Sequence, residues 1–243
     1  MTADLRQLWQ EAFGDPAETL DAFFATGFSE DRHHCILENG VPVSALYWFD
    51  CELDGSKLAY LYAVATKKSH RGKGLAHKLM NETHAILKDR GYAGAILVPG
   101  GESLFDFYEK LGYRAATEIH EFSCTRADTP VALQQVDAAQ YARLRENLLP
   151  ESGVTQEGAA LNFLQTQVKL YAGKNCLLAA SVNNNTLQVQ EFLGDPTLAP
   201  HILHTLNCPE GHFRTPGNGK AFAMLLPFVT DCPQPGYFGL ALD

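Results

Sequence analysis

The spacing of apolar residues near the start of the chain predicts two short helices. Leu5, Leu8 and Trp9 recur at helical intervals, which is typical of a helix with one buried face. Asp15 followed by Pro16 has the pattern of a second helix start, with Asp15 as the N-cap and the proline at the first helical position. We therefore expect two amphipathic helices before the first strand.

After these helices the spacing of the apolar residues changes and predicts a hairpin and a third strand. Residues 33–38 and 41–49 flank Asn39 and Gly40, and an Asn-Gly pair between two apolar runs is the strongest short hairpin signal. A third strand is predicted over residues 58–66. The apolar positions that follow repeat every three or four residues and predict a helix that ends at Gly91.

The next apolar run indicates a parallel strand. Residues 93–98 form a short buried-type strand, and a strand–helix–strand order favours a right-handed crossover that places it parallel to the third strand. A helix is predicted to begin at Ser103 and to end at Gly112. A strand from Tyr113 to Cys124 is expected to complete this part of the fold.

The order of elements then repeats weakly after a short polar segment at residues 126–130. We predict an α+β fold of two domains: residues 1–126, with a central mixed sheet flanked by helices, and residues 127–243, a smaller and degenerate duplicate. The elements predicted in the second domain are helices at 137–148, 157–171 and 197–206, a hairpin around Asn183–Asn185, and strands in 220–228 and 236–243.

Composition restricts the possible partners. The 243 residues are 46% hydrophobic, and 19 basic against 28 acidic side chains give a net charge of −9, which disfavours nucleic acid and anionic membranes as main partners. No apolar run reaches the roughly 20 residues of a membrane span. The six cysteines have no close C-x-x-C pair, so we expect free thiols and a cytoplasmic protein.

One segment departs from this acidic balance. Between Gly55 and Asn81 the chain has six basic residues and no acidic one. A basic run is often only a solvated face, but here Gly72 and Gly74 lie where the predicted helix begins. Unpaired helical N–H groups and flexible glycines favour phosphate at such a place. The basic residues are Lys57, Lys67, Lys68, Arg71, Lys73 and Lys78.

Two known types of phosphate-binding loop do not fit this segment. A Walker loop requires Ser or Thr after its lysine, whereas Gly74 follows Lys73. A dinucleotide fingerprint requires a third glycine where this chain has His77. The basic flanks therefore favour a different ligand with several phosphates.

Residues 71–76, Arg-Gly-Lys-Gly-Leu-Ala, resemble the Arg/Gln-x-x-Gly-x-Gly/Ala signature of the GNAT superfamily of acetyl-CoA-dependent N-acetyltransferases. The strand residues Val64–Thr66 precede it, and Phe107–Tyr113 resemble the family's second hallmark. The resemblance covers residues 4 to about 124. It implies acetyl-CoA as co-substrate, no metal, and a cofactor site made of Val64, Ala65, Thr66, Arg71, Gly72, Lys73, Gly74, Leu75, Ala76 and Ser103.

The resemblance also implies roles within that site. Backbone amides from Gly72 to Ala76 would hold the pyrophosphate, and Tyr108 matches the family's general acid. A phenol with a pKa near 10 can protonate a leaving thiolate whose thiol has a pKa around 8.5; the alternative is a tyrosine that only packs on its helix. Many members have an asparagine near Ser103, which here is either a hydrogen-bonding substitute or an N-cap.

An amine acceptor must lose a proton before it attacks, so a base or a water chain is expected. In the second domain, Pro196 and Pro200 lack the N–H groups that a phosphate cradle needs, and we predict no coenzyme A site there. His201, His204, Cys208 and His212 do not match the spacing of a known zinc module, so no metal site is predicted. The candidate bases are Glu30, Asp50, Glu52, Tyr60, Tyr62 and Asp243.

The function predicted from the sequence is direct acetyl transfer from acetyl-CoA to an amine of a small molecule or peptide, by a monomer or homodimer that binds neither nucleic acid nor membrane. The alternative is a non-catalytic protein that responds to acyl-CoA. A third interpretation, nucleic-acid binding through residues 67–73, lacks support, because residues 127–243 supply few further basic side chains.

Overall fold

The computed structural model describes residues 2–242, which form two compact units. The first unit comprises the residues up to Arg114 together with Met224–Pro233, and the second comprises Ala115–Ala223 with the residues from Gln234 onward. This division differs from the predicted boundary at residue 126, because residues 118–125 pair in the sheet of the second unit. No helix of the described residues is long and apolar enough to cross a membrane.

The two units contain seven helices and fourteen strands among the described residues. The helices are α1 Thr2–Phe13, α2 Ala17–Thr26, α3 Leu75–Asp89, α4 Ser103–Glu109, α5 Ala138–Glu146, α6 Ala159–Gln167 and α7 Ala199–Thr205. The strands are β1 His33–Glu38, β2 Val41–Leu53, β3 Ser56–Thr66, β4 Gly94–Leu97, β5 Arg114–Ala115, β6 Glu118–Thr125, β7 Leu133–Val136, β8 Thr155–Gln156, β9 Lys169–Gly173, β10 Cys176–Asn183, β11 Thr186–Leu193, β12 Glu210–Pro216, β13 Lys220–Ala221 and β14 Met224–Pro227.

The sheet of the first unit has the order β1-β2-β3-β4-β14-β5. The predicted hairpin is confirmed: β1 and β2 are antiparallel, and Asn39 and Gly40 both have positive φ, 52° and 78°, as a tight hairpin turn requires. The predicted parallel crossover is also confirmed, since β4 lies parallel to β3 and α3 connects them. The strand on the other side of β4 is β14, which is antiparallel to it.

Helices cover both faces of this sheet. On one face α1 and α2 bury an aromatic group in which the Trp9 ring lies 4.6 Å from that of Phe23 and 5.4 Å from that of Tyr47. On the other face α3 packs Leu79, Met80 and Leu87 against the strands. One expectation about this region is wrong: Pro16 is the N-cap of α2, and the Asp15 carboxylate instead accepts a hydrogen bond from the Trp9 indole at 2.7 Å.

The sheet of the second unit has the order β13-β6-β12-β11-β10-β9-β7, with β11 parallel to β12. The predicted hairpin around residues 183–185 is confirmed. The helix predicted over 157–171 ends at Gln167, and its last positions belong to β9. The strand predicted over 236–243 is also wrong for the described residues, where Tyr237 forms one isolated bridge to Gly153.

A buried ion pair lies close to the last described segment in the second unit. Arg145 binds both carboxylate oxygens of Glu191, at 2.9 and 2.8 Å, and Tyr141 donates to the same carboxylate at 2.9 Å. Gln156 binds the backbone of Leu240 through both its donor and its acceptor. A charge pair taken out of water is stable only with such complete hydrogen bonding. The segment itself is fixed by the Gln156 hydrogen bonds and by its packing, and not by a strand ladder.

Gly239→Ala should disturb this network. A Cβ at position 239 would overlap the Tyr237 hydroxyl and the Glu191 carboxylate. Because the ion pair is buried, we expect a loss of about 3 kcal/mol or more in the free energy of unfolding, measured by denaturant titration. Gly101→Ala, where a Cβ meets nothing within 4 Å, is the control and should change stability by less than about 0.5 kcal/mol. Equal stability of both variants would contradict the packing described.

Candidate active site

The central feature of the candidate site is an opening between two parallel strands. β3 and β4 pair only from Leu58↔Gly94 to Tyr60↔Ile96. β3 continues to Thr66, and over this extension it stays paired with β2 as far as Ser44. Among the described residues, the edge of β3 that faces β4 is therefore open over this stretch, which includes the predicted residues Val64, Ala65 and Thr66.

A β-bulge accompanies the opening. Ala45 and Tyr47 of β2 pair with Ala65 and Tyr62 of β3, so β3 contains one extra residue between them. Ala63 lies in this bulge with φ of 50°, a conformation that is rare for residues other than glycine. Bulges bend and twist a strand, so this one turns the end of β3 away from a regular parallel ladder.

The loop after β3 has the conformation expected of a phosphate cradle. Gly72 and Gly74 have φ of 76° and 75°, and a Cβ at either position would meet nothing within 4 Å. Gly74 is the N-cap of α3 and has no side-chain cap. The first helical N–H groups, including those of Leu75 and Ala76, have no acceptor within the helix. The predicted residues Gly72–Ala76 therefore lie together at an open helix N-terminus.

Neighbouring elements hold this loop in place. The Glu11 carboxylate of α1 accepts the backbone N–H of Lys68 at 2.6 Å, and the Arg71 Nε donates to the carbonyl of Thr66 at 3.2 Å. The His70 ring pairs with Glu38 at 2.5 Å. The hydrogen bond and charge of His70, together with the charge of nearby Lys73, lower the pKa of Glu38. Arg71 and Lys73 themselves are exposed.

The predicted acid Tyr108 lies beneath the open ends of the strands. It is 7% exposed, in a cluster with Leu61 of β3 and Leu97 of β4, the residues just beyond the last β3–β4 pair. Val64 packs against the same cluster. Burial raises the pKa of Tyr108 to about 12, so its phenol keeps its proton at neutral pH.

Ser103 does not have one of the two roles expected for it. It is the first residue of α4, whose N-cap is Glu102 without a side-chain cap bond. The N-cap interpretation of Ser103 is therefore wrong. Its side chain is exposed, and its role as a hydrogen-bonding substitute for asparagine stays a prediction.

The candidate bases have different surroundings. Asp50 accepts from the Tyr92 hydroxyl and lies 3.4 Å from Lys57 and 3.6 Å from Arg32, so its carboxylate is already engaged by three side chains. Tyr60 is buried and Tyr62 half-buried, with ring centres 6.3 Å apart. Glu30 and Glu52 are exposed, and Asp243 lies outside the described residues.

In the second unit a side-chain hydrogen bond joins the parallel strands β11 and β12 beyond their last residue pair. β11 and β12 pair as far as Val189↔Phe213, and beyond this point the Thr215 hydroxyl donates to the carbonyl of Phe192 at 2.9 Å. Pro196 and Pro200 occupy first positions of the helical turns that follow β11, where they supply no N–H. This arrangement supports the prediction that the unit has no coenzyme A cradle.

The histidines of the second unit that were considered as zinc ligands form hydrogen bonds with protein groups. His201 and His204 bind the carbonyls of Thr129 and Ala127, at 2.8 and 3.0 Å, and His212 binds the Ser123 hydroxyl. Within residues 2–242 no group of three His, Cys, Asp or Glu side chains is arranged to hold a metal ion.

A buried pair that the sequence analysis missed supports Tyr108. Tyr113 is 1% exposed; its ring meets that of Tyr108 edge-on at 5.7 Å, and its hydroxyl lies 2.8 Å from Nε2 of His84. His84 belongs to α3, the helix that begins at the cradle. The pair therefore connects the cradle helix to the turn after Tyr108. Residues so far apart along the chain carry no local signal of this contact.

Comparison with known proteins agrees with this geometry. Residues 2–116 match the family model of the GNAT acetyltransferase domain, whereas no curated protein matches the chain. A GCN5-related N-acetyltransferase from Kribbella flavida has a similar structure, with a TM-score of 0.71 and 19% identity over 92% of this chain and 67% of that one.

Two further solved structures show the same fold. A GCN5-related N-acetyltransferase from Anabaena variabilis has a TM-score of 0.70 at 13% identity, over 92% of this chain and 69% of that one. Eis1 from Mycobacterium abscessus has a TM-score of 0.60 at 14% identity, over 85% of this chain and 61% of that one.

Residues 2–116 therefore belong to the GNAT family, as the sequence resemblance predicted, and the protein is an acyltransferase. The mixed sheets flanked by helices confirm the predicted fold class. The interpretation of the second unit as a degenerate copy of the first stays a prediction.

The buried His84 should make the protein sensitive to acid. Burial, with a smaller contribution from Lys88, lowers its pKa to about 4 from 6.5. Below about pH 6.5 the unfolded chain binds a proton that the folded protein does not, so stability falls as the pH drops towards about 4, by roughly 2–3 kcal/mol. Denaturant titrations across this range measure the fall. His84→Gln should reduce it, and an unchanged pH dependence would assign it to another group.

Proposed function

We propose that this acyltransferase transfers an acetyl group from acetyl-CoA directly to an amine of a small molecule or peptide. The observation that carries the proposal is the combination, within one unit, of the open β3 edge, the Gly72–Gly74 cradle and the buried Tyr108. Acyl transfer follows from the family match of residues 2–116, and we add to it the donor, the acceptor and the roles of the residues.

The shape and chemistry of the opening fit a donor with phosphates and an extended amide-containing arm. The N-terminus of α3 offers unpaired N–H groups and a positive dipole end, and the exposed Arg71 and Lys73 add charge. In the part of the chain that the structure describes, the edge of Val64–Thr66 that faces β4 is not paired with a strand, and its backbone groups can pair with amides in the way a neighbouring strand does. When bound, acetyl-CoA supplies the activated acetyl thioester.

The role proposed for Tyr108 is to assist the departing sulfur. During transfer the amine nitrogen forms a bond to the acetyl carbon, the carbon–sulfur bond breaks, and the sulfur takes the electron pair. With a pKa raised to about 12, the phenol is a weaker acid than the thiol, whose pKa is about 8.5. We infer that Tyr108 stabilises the developing thiolate by donating a hydrogen bond and keeps its own proton, and that the released thiolate takes a proton from solvent.

The cysteines give no support to a covalent acyl-enzyme. Burial raises the pKa of both Cys35 and Cys124, and a thiol must ionise to act as a nucleophile. The sulfur of Cys51 is buried and directed at the carbonyl of Leu58 at 3.5 Å. These surroundings favour direct attack by the acceptor, whose excess proton passes to a base or to water.

Thiol release tests the proposal against a non-catalytic acyl-CoA-binding protein. The full chain is incubated with acetyl-CoA and a panel of small amines and peptides, and free thiol is measured over time. We expect steady release with at least one acceptor, above the rate without acceptor. Coenzyme A binding without any acceptor-dependent release would favour the binding protein.

Changes in the cradle should weaken coenzyme A binding. Arg71→Glu replaces an attractive charge by a repulsive one, and Gly74→Val places a branched side chain at a φ of 75°, which is strained for such a residue. For the double variant we expect affinity at least about tenfold lower by calorimetry. Lys169→Glu, the same charge change at an exposed lysine of the second unit, is the control. Unchanged affinity in the double variant would reject the cradle.

Tyr108→Phe should lower turnover with little change in acetyl-CoA affinity. Loss of the hydroxyl removes one donor to the sulfur, and we expect kcat to fall roughly 10- to 100-fold. Because its pKa is about 12, Tyr108 causes no fall in kcat of the native protein below about pH 11. Tyr171→Phe, a half-buried tyrosine of the second unit, serves as control. An unaltered rate in Tyr108→Phe would remove this role.

A further inference from the structure

The turn that ends α4 brings Tyr113 back to Tyr108. The Tyr113 N–H donates to the carbonyl of Tyr108 at 3.1 Å, and the Gly112 N–H donates to that of Glu109 at 2.9 Å. Gly112 has φ of 92°, and these two bonds around a residue of positive φ form a Schellman motif. The backbone of Tyr113 is therefore fixed relative to the residue whose phenol we assign to the reaction.

A hydrogen bond fixes the other end of Tyr113. Its side chain is buried, and its hydroxyl lies 2.8 Å from Nε2 of His84 in α3. Because the hydroxyl lies on the axis about which the ring flips, this bond holds the direction of that axis and not the flip angle. The Tyr113 ring meets the Tyr108 ring edge-on at 5.7 Å. In a close-packed interior, a change in the direction of one ring displaces the other.

A second set of contacts joins α3 to Tyr108. His77 lies seven residues, or two helical turns, before His84, so the two histidines share one face of α3. The His77 ring meets that of Phe107 edge-on at 5.0 Å, and the Phe107 ring lies 5.1 Å from that of Tyr108. The Tyr108 ring is thus contacted by two rings, each of which contacts a histidine of the helix that begins at the cradle.

The His84–Tyr113 pair is uncharged at neutral pH. Burial, with a smaller contribution from Lys88, lowers the pKa of His84 to about 4, and burial raises the pKa of Tyr113 well above its ordinary value. The Phe228 ring packs on the imidazole, with 5.7 Å between the ring centres. The pair is therefore suited to hold a position rather than to act as an acid or a base.

We propose that His84 and Tyr113 are positioning residues, which hold the Tyr108 phenol in the direction that lets it donate to the departing sulfur. This role rests on the function proposed above for Tyr108. Neither residue belongs to the cradle or to the open β3 edge, so loss of their hydrogen bond should leave acetyl-CoA affinity unchanged. Because stabilisation of a transition state depends steeply on geometry, the same loss should lower kcat.

Two substitutions of similar size at His84 test this role. His84→Gln keeps a group that can bond the Tyr113 hydroxyl, whereas His84→Met, with an unbranched side chain of the same length, does not. In acceptor-dependent thiol release we expect kcat to be about tenfold lower in His84→Met and within about twofold of the native value in His84→Gln. Calorimetry should give the same acetyl-CoA affinity for both. Equal losses of kcat in the two variants would reduce His84 to a packing residue and overturn the proposal.

A double variant shows whether the pair acts through Tyr108. In the Tyr108→Phe background, His84→Met should lower kcat no further, because the hydroxyl that the pair positions is already absent. Losses that multiply would overturn the proposal. A normal rate in Tyr108→Phe alone would reject the role of Tyr108 itself. If His84→Met does not fold, Tyr113→Phe, which keeps the ring and removes the hydroxyl, takes its place.

An NMR measurement separates this proposal from the proposed reaction. With tyrosines labelled at the ring carbon that bears the hydroxyl, the Tyr108 signal is identified by its absence in Tyr108→Phe. We expect this signal to shift or broaden in His84→Met and to stay in place in His84→Gln. An unmoved signal in His84→Met would overturn the positioning role even where transfer is normal. Absence of turnover, with a signal that moves as expected, would count against the proposed reaction alone.

Discussion

The first unit depends on the point at which β3 and β4 stop pairing. Three residue pairs join the two strands, enough to fix their direction, and then β3 continues with β2 alone. A parallel ladder carried further would fill its own edge with backbone hydrogen bonds and leave no opening. The bulge at Ala63 and the short length of β4 therefore create the space from which the cradle loop departs and beneath which Tyr108 is buried.

The site was predictable from sequence where its parts are adjacent along the chain. Residues 71–76 combine glycines, positive charge and a helix start in one stretch, and the structure keeps them together. Tyr108 was reached through a second local pattern. The His84–Tyr113 pair and the Glu11 contact to the cradle loop were not predictable, because each joins residues that only the folded chain brings together. Ser103 shows that a local pattern can also mislead. A serine near a helix start is often the N-cap, but here Ser103 is the first helical residue and Glu102 is the N-cap.

The fold shows the same contrast. The turn at Asn39–Gly40 was predictable because positive φ at both positions is a local requirement. The apolar residues of 236–243 suggested a strand, but Tyr237, Phe238 and Leu240 are buried by packing, and the Gln156 side chain binds the backbone of Leu240. Burial on every side produces an apolar run in the sequence whether or not a ladder forms. The sequence did not indicate that β6 pairs with β12 or that β14 pairs with β4. Tertiary packing decides which strands become partners.

The placement of β14 has a consequence for how the protein is made. The first unit takes one of its internal strands from Met224–Pro227, although most of that unit precedes residue 115. During translation, one edge of β4 stays unpaired until the whole of the second sheet has been synthesised. Exposed edges of this kind invite wrong pairing with other chains. A nascent chain that ends before β14 therefore leaves this edge of the first sheet unpaired, and a fragment cut at residue 116 would lack Met224 from its own core.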